Sequence, residues 1–141
     1  MSLAVSVSTD GVRIPLARAR VASIARAALR AERVRDAMLS ITFVTPRSIA
    51  RLNRRYLGHA GSTDVISFAF GEPLVGDIYI SPDVARQNAR RYAIGVREEL
   101  TRLVIHGILH VVGHDHPDDA RSASPMWKRQ ERLVRRAVSS T

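Results

Sequence analysis

Four of the chain's five histidines fall within eleven residues, His106-Gly107-Ile108-Leu109-His110-Val111-Val112-Gly113-His114-Asp115-His116. His106 and His110 are i and i+4, so on a helix their imidazoles project side by side. That spacing lets two nitrogens reach one metal ion at about 2.0–2.1 Å. Gly113 permits a sharp turn, after which His116 can fold back as a third ligand. Three neutral nitrogens and an open fourth position describe a catalytic zinc site; a fourth protein ligand, which His114 or Asp115 can supply, describes a structural one. A lone histidine is more often a hydrogen-bonded core or surface residue. Four in so short a run, two of them in register on an otherwise apolar helix, point to a metal instead. The spacing equals that of H-E-x-x-H-x-x-G-x-x-H metalloproteases, but Gly107 stands where those enzymes carry their glutamate base, so the peptidase mechanism lacks its proton acceptor.

The element that must carry the pair is a helix over about Val96–Val112. Leu100, Leu103, Val104, Ile108 and Val111 make one apolar side of it, and Ile105, Leu109 and Val112 another. Between them runs a polar stripe of Glu99, Arg102, His106 and His110. A helix buried on two sides is expected to turn such a stripe into a cleft, and Gly113 sits where a left-handed cap residue ends the helix.

Around it the patterns predict four short strands and five helices. Val5–Val7 with Val12 and Ile14 alternate as a strand carrying a turn or bulge at Asp10-Gly11. Pro15 opens a helix to about Glu32, with Leu16, Val21, Ile24, Ala28 and Leu29 on one side and Arg18, Arg20, Arg26 and Arg30 among those decorating the rest, a set expected to form a solvated face. Leu39–Val44 alternates as a strand. Thr45-Pro46 starts a helix to about Tyr56 and Ser81-Pro82 another to about Tyr92, each with a hydroxyl cap followed by proline. Thr63–Phe70 is apolar on both faces, which predicts a central strand, and Gly76–Ile80 is a further one. Pro125–Val138 forms the last amphipathic helix. With no repeat or linker, residues 1–141 are expected to form a single α/β (α+β) domain around a small mixed sheet.

The 141 residues are 45% hydrophobic and 25% charged, a globular composition. Twenty-two basic against thirteen acidic residues leave a net charge of +9, and every cation except Lys128 is arginine. Guanidinium forks match phosphate oxygens, although a GC-rich genome produces the same bias. Zero cysteines exclude disulfides, thiol catalysis and cysteine-based metal sites. Neither a membrane-spanning run nor a signal peptide is visible, so a soluble, cytoplasmic protein is expected.

The run His-Gly-Ile-Leu-His-Val-Val-Gly-His-Asp-His resembles the signature of the YbeY family, H-G-x-L-H-x-x-G-[Y/H]-D-H. Three further segments agree in order over roughly Leu39 to Leu133: Leu52-Asn53 with Tyr56, Thr63-Asp64-Val65-Ile66-Ser67-Phe68, and Gly76-Asp77-Ile78-Tyr79-Ile80-Ser81. The resemblance implies a compact α/β domain and a bacterial endoribonuclease of ribosomal RNA maturation, acting at the 16S 3′ end and in ribosome quality control. It implies one Zn2+ per chain on His106, His110 and His116. As partners it implies ribosomal RNA precursors, small-subunit ribosomal proteins and an Era-type GTPase. Family members carry an arginine directly after the tyrosine of the L-N-x-x-Y segment; here that position is Leu57, leaving Arg54, Arg55 or His59 to bring a cation to the same cleft.

Metal-dependent hydrolysis of an RNA phosphodiester is therefore the leading expectation, with arginines offsetting charge in the transition state. His114 and Asp115 are the candidate proton shuttles, Asp115 more readily as an acceptor that fixes a ligand imidazole's tautomer. Asp77 fits a turn or capping carboxylate as well as a functional one. Few aromatics predict phosphate-dominated, salt-sensitive binding with weak sequence preference. Three imidazoles also suit nickel, iron or copper. The rival reading is a non-catalytic, zinc-stabilised assembly factor docking on ribosomal RNA or protein; a metallohydrolase on small or peptide substrates is disfavoured by Gly107 and the arginine-rich surface.

Overall fold

A computed structural model describes residues 2–58, Gly61, 63–114 and 124–139. The elements are β1 (Leu3–Thr9), α1 (Arg18–Ala31), β2 (Ala37–Phe43), α2 (Pro46–Leu52) running into a π-helical turn (Asn53–Leu57), β3 (Val65–Phe70), β4 (Leu74–Ile80), α3 (Pro82–Tyr92), α4 (Val96–Val111) and α5 (Pro125–Ser139). Among the described residues the expected α+β domain of four strands and five α-helices is what forms. Both predicted hydroxyl caps are made: Thr45 Oγ1 accepts the Ser48 N–H at 3.1 Å and Ser81 Oγ accepts the Val84 N–H at 3.3 Å.

The sheet order is β1-β2-β4-β3, with β1, β2 and β4 parallel and β3 antiparallel to β4. Val7, Ile41, Ile78 and Ser67 lie in register across it, and the face they share is covered by α1 and α4. Ile41, Phe43, Ile78, Ile80, Val104 and Ile108 are fully buried in the core between them. No helix among the described residues is long and apolar enough to cross a membrane.

Three expectations need correction. β3 is an edge strand rather than a central one; it is apolar on both faces because α4 packs near one side, while Ile66 and Phe68 on the other join Ile49 and Leu52 of α2. Val12 and Ile14 lie outside β1, since Gly11, at φ 72°, turns the chain away after the Asp10 N–H bonds the Phe43 carbonyl at 2.8 Å. The arginines of α1 are not all solvated: Arg20 donates to the Ala137 carbonyl at 2.6 Å and Arg26 to the Leu3 carbonyl at 3.1 Å, tying α1 to α5 and to β1.

Candidate metal centre

α4 is held against the sheet by two close approaches. A Cβ on Gly107 would lie 2.8 Å from Ile78 Cγ2, and one on Gly76 would lie 2.8 Å from Val111 Cγ1. Small residues at both points let the helix backbone settle on β4. The residue after His106 therefore looks into the sheet, and the position of the protease glutamate has no room for a side chain.

His106 and His110, both half-buried, come together as the spacing predicts. Their Nε2 atoms lie 3.1 Å apart, with the rings edge to face and centroids 4.6 Å apart. Two nitrogens at this distance either share one proton or direct two lone pairs at a common cation. Ligands at about 2.0–2.1 Å on a tetrahedral zinc are about 3.3 Å apart, so the pair fits two positions of such an ion. Among the described residues no group of three His, Cys, Asp or Glu side chains is arranged to hold a metal ion. The expected third ligand, His116, lies outside the described residues, as do Asp115 and His59.

The stripe that leads up α4 to the pair does not line a cleft along its whole length, as expected, because its first half is buried. Glu99 is 0% exposed and accepts from Arg102 at 3.0 Å and from Asn88 at 3.1 Å. Arg102 also grips both carboxylate oxygens of Glu131 on α5, at 2.8 Å each, and donates to Glu98 at 3.0 Å. Burial by itself pulls the Arg102 guanidinium down; Glu131, Glu98 and Glu99 outweigh it and hold the group above its ordinary range. From Glu131 the polar chain continues to Gln130, which is 1% exposed, and from Gln130 Oε1 to His106 Nδ1 at 2.6 Å. Glu131 and Gln130 carry no motif; the one available signal is that Gln130 falls on the apolar stripe of α5 with Met126, Leu133 and Val134.

His114 is drawn elsewhere. Its Nε2 meets a carboxylate oxygen of Glu32, just past the end of α1, and the other oxygen of Glu32 takes Arg129 of α5 through Nε at 2.6 Å. Arg129 also donates to the Ala31 carbonyl at 2.9 Å. Burial alone would raise the Glu32 carboxyl, but the hydrogen bonds from His114 and Arg129 prevail and hold it below its ordinary value. This triad joins the ends of α1 and α4 to α5.

Arg54 and Arg55 are exposed on the π-helical turn, and the Arg55 guanidinium lies 5.4 Å from the Tyr56 ring centroid. Tyr56 packs edge-on against Phe68, their centroids 5.4 Å apart, and Phe68 pairs with Asp77 on the sheet face turned away from α4. Arg55 and Asp77 are thus set on the opposite side of the sheet from His106 and His110, and Leu57 beside them is 47% exposed.

The model of the family described as Endoribonuclease YbeY matches residues 7–138. A protein of Frankia casuarinae named Endoribonuclease YbeY is 37% identical over 94% of this chain and 73% of its own length. One of the same name from Bacillus licheniformis is 34% identical over 99% of this chain and 98% of its own. The solution structure of TM1509 from Thermotoga maritima superposes with a TM-score of 0.66 at 25% identity, covering 96% of this chain and 90% of that one.

Proposed function

The chain belongs to the YbeY family, and from that premise we propose that it is a zinc-dependent endoribonuclease cleaving ribosomal RNA precursors. The observation that carries the reading is the convergence of the His106 and His110 Nε2 atoms, 3.1 Å apart, in a family whose relatives are named for RNA cleavage. His106, His110 and His116 would hold the ion. When bound, it supplies Lewis acidity toward a phosphoryl oxygen and a water activated near neutral pH. The protein's own groups do the rest. The imidazole pair is fixed by α4, which Gly107 and Gly76 seat on β4. Asp115 is assigned as the acceptor of a ligand imidazole N–H. His114 remains the candidate for moving a proton to the leaving oxygen, with Glu32 and Arg129 orienting its ring. Arg54 and Arg55, exposed on the π-helical turn, with Arg55 on the far side of the sheet from the histidines, suit docking of the RNA backbone better than contact with the reacting phosphate.

The finer reading places the cleavage at the 16S 3′ end and in ribosome quality control, in the cytoplasm, with a small-subunit ribosomal protein and an Era-type GTPase as partners. It is supported by the family resemblance of the histidine signature.

The test is the metal content and nuclease activity of untagged protein, wild type beside His110→Ala, with folding monitored by circular dichroism. One zinc per wild-type chain, with zinc and cleavage of structured RNA both lost in a folded variant, is the expected result. Bound zinc with no cleavage by either protein would favour the assembly-factor reading, and a wild-type protein without metal would overturn the zinc site.

A further inference from the structure

We infer that Gln130 is a positioning residue for the histidine pair: it accepts the Nδ1 proton of His106 and so holds that imidazole in the tautomer whose Nε2 lone pair is directed at His110. A glutamine amide can present either its oxygen or its NH2 group to the imidazole, and the neighbouring contacts decide which. Arg102 holds Glu131 through two 2.8 Å hydrogen bonds, one to each carboxylate oxygen. A carboxylate gripped in this way is ionised and can only accept, so the Gln130 atom 3.3 Å from Glu131 Oε2 is its NH2 group. The reversed amide would set two acceptors against each other in a buried site. The remaining Gln130 atom, Oε1, then faces His106 Nδ1 at 2.6 Å and requires a proton there.

A neutral imidazole carries one N–H. With that proton at Nδ1, the Nε2 of His106 is left as the acceptor or ligand atom, and it is this atom that stands 3.1 Å from His110 Nε2. The orientation of the site is thereby set by Gln130, 24 residues away in sequence and itself fixed by Glu131 and Arg102, rather than by His106 itself. Burial makes the arrangement stiff: Gln130 is 1% and Arg102 8% exposed, so water does not offer an alternative partner. The consequence for metal affinity rests on the zinc reading above, whereas the tautomer does not.

The experiment uses full-length protein labelled with 15N-histidine. Imidazole 15N shifts of the metal-free protein at a pH of about 8, above the histidine range, report the His106 tautomer, and zinc affinity is measured separately by competition with a chelating dye. The wild type is expected to show the Nδ1–H tautomer at His106. Gln130→Leu is expected to lose that preference and to bind zinc about 10- to 100-fold more weakly. Gln130→Glu keeps an acceptor facing Nδ1 and is expected to retain the tautomer even though its second carboxylate oxygen stands against Glu131 and lowers stability, a separation that a purely structural role would not give. An Nε2–H tautomer in the wild type overturns the assignment even if no variant folds, and so does an unchanged tautomer in folded Gln130→Leu. Wild-type protein that holds no zinc, yet shows the Nδ1–H tautomer and loses it in Gln130→Leu, supports Gln130's role and counts against the zinc reading instead.

Discussion

Gly107 and Ile78 meet so closely that a single added methyl group on the helix would lie 2.8 Å from Ile78 Cγ2 and 3.0 Å from its Cδ1. The missing protease glutamate is therefore a matter of packing as well as of chemistry: α4 presents His106 and His110 toward α5 only because the position between them is flush against β4. Gly107→Ala should lower stability by about 1–3 kcal/mol through overpacking, against which alanine's better helix propensity returns up to about 1 kcal/mol. The net loss should appear as a lower urea midpoint with unchanged slope. Ile78→Val in the same chain should recover part of it, a coupling that independent sites would not show.

Zinc binding should register in stability, because an ion that binds only the folded chain shifts the unfolding equilibrium. At a free zinc concentration about 100 times the dissociation constant the gain is about 2.7 kcal/mol. Calorimetric unfolding of metal-stripped protein with and without added zinc should show this increase in the wild type. It should be largely absent in His110→Ala and in His116→Ala. An equal response from all three proteins would point to zinc bound elsewhere.

The histidine pair was legible because both histidines lie on one helix at a spacing that geometry alone interprets, and the two hydroxyl-proline caps were legible for the same local reason. What was not legible depends on partners distant in sequence. Thr63–Phe70 reads as a central strand because both faces are apolar, and nothing in the strand tells that its second covering layer is α2 rather than another strand. Glu99 and Arg102 read as the wall of a cleft until α5 brings Glu131 to Arg102 and closes the first half of the stripe. Gln130 carries no motif, and its role depends on the rotation of α5 relative to α4.

That ion-pair cluster predicts an asymmetric response to mutation. Arg102→Leu takes from Glu99, 0% exposed, the guanidinium that donates to it at 3.0 Å. Breaking a buried pair from one side costs about 3–5 kcal/mol, so the variant should unfold at much lower urea. Glu99→Gln removes the charge that needs compensation and should cost less than Arg102→Leu. Equal losses would mean that Glu98 and Glu131, rather than Glu99, carry the effect.

Glu32 predicts an acid limb. Its carboxyl sits below its ordinary value of 4.5 because the hydrogen bonds from His114 and Arg129 outweigh burial. A group whose pKa is depressed on folding contributes stability that is fully present above the unfolded value and is lost as pH falls through the folded one. Glu32→Gln should accordingly be less stable than wild type at neutral pH, by about 1–3 kcal/mol for a partly buried cation and imidazole deprived of their acceptor. The difference should shrink only below pH 4.5, in urea titrations run across that range. A gap that stays constant down to strongly acid pH would show that the triad contributes packing and no charge linkage.

Arg54 and Arg55 separate two ways in which an arginine can serve an RNA-cleaving protein. Lodged beside the histidines, they would stabilise the transferring phosphoryl group, and their loss would reduce turnover while leaving affinity nearly intact. The contact of Arg55 with Tyr56, and of Tyr56 with Phe68 on the sheet face turned away from α4, favours docking instead. An arginine on a single-stranded backbone contributes about 0.7 to the slope of log affinity against log salt. Arg54→Ala/Arg55→Ala protein should therefore bind single-stranded RNA more weakly at low salt, with a slope shallower by about 1.4, while single-turnover cleavage at saturating protein stays close to wild type. An unchanged slope with slower cleavage of fully bound RNA would move both arginines from the docking surface to the reacting phosphate.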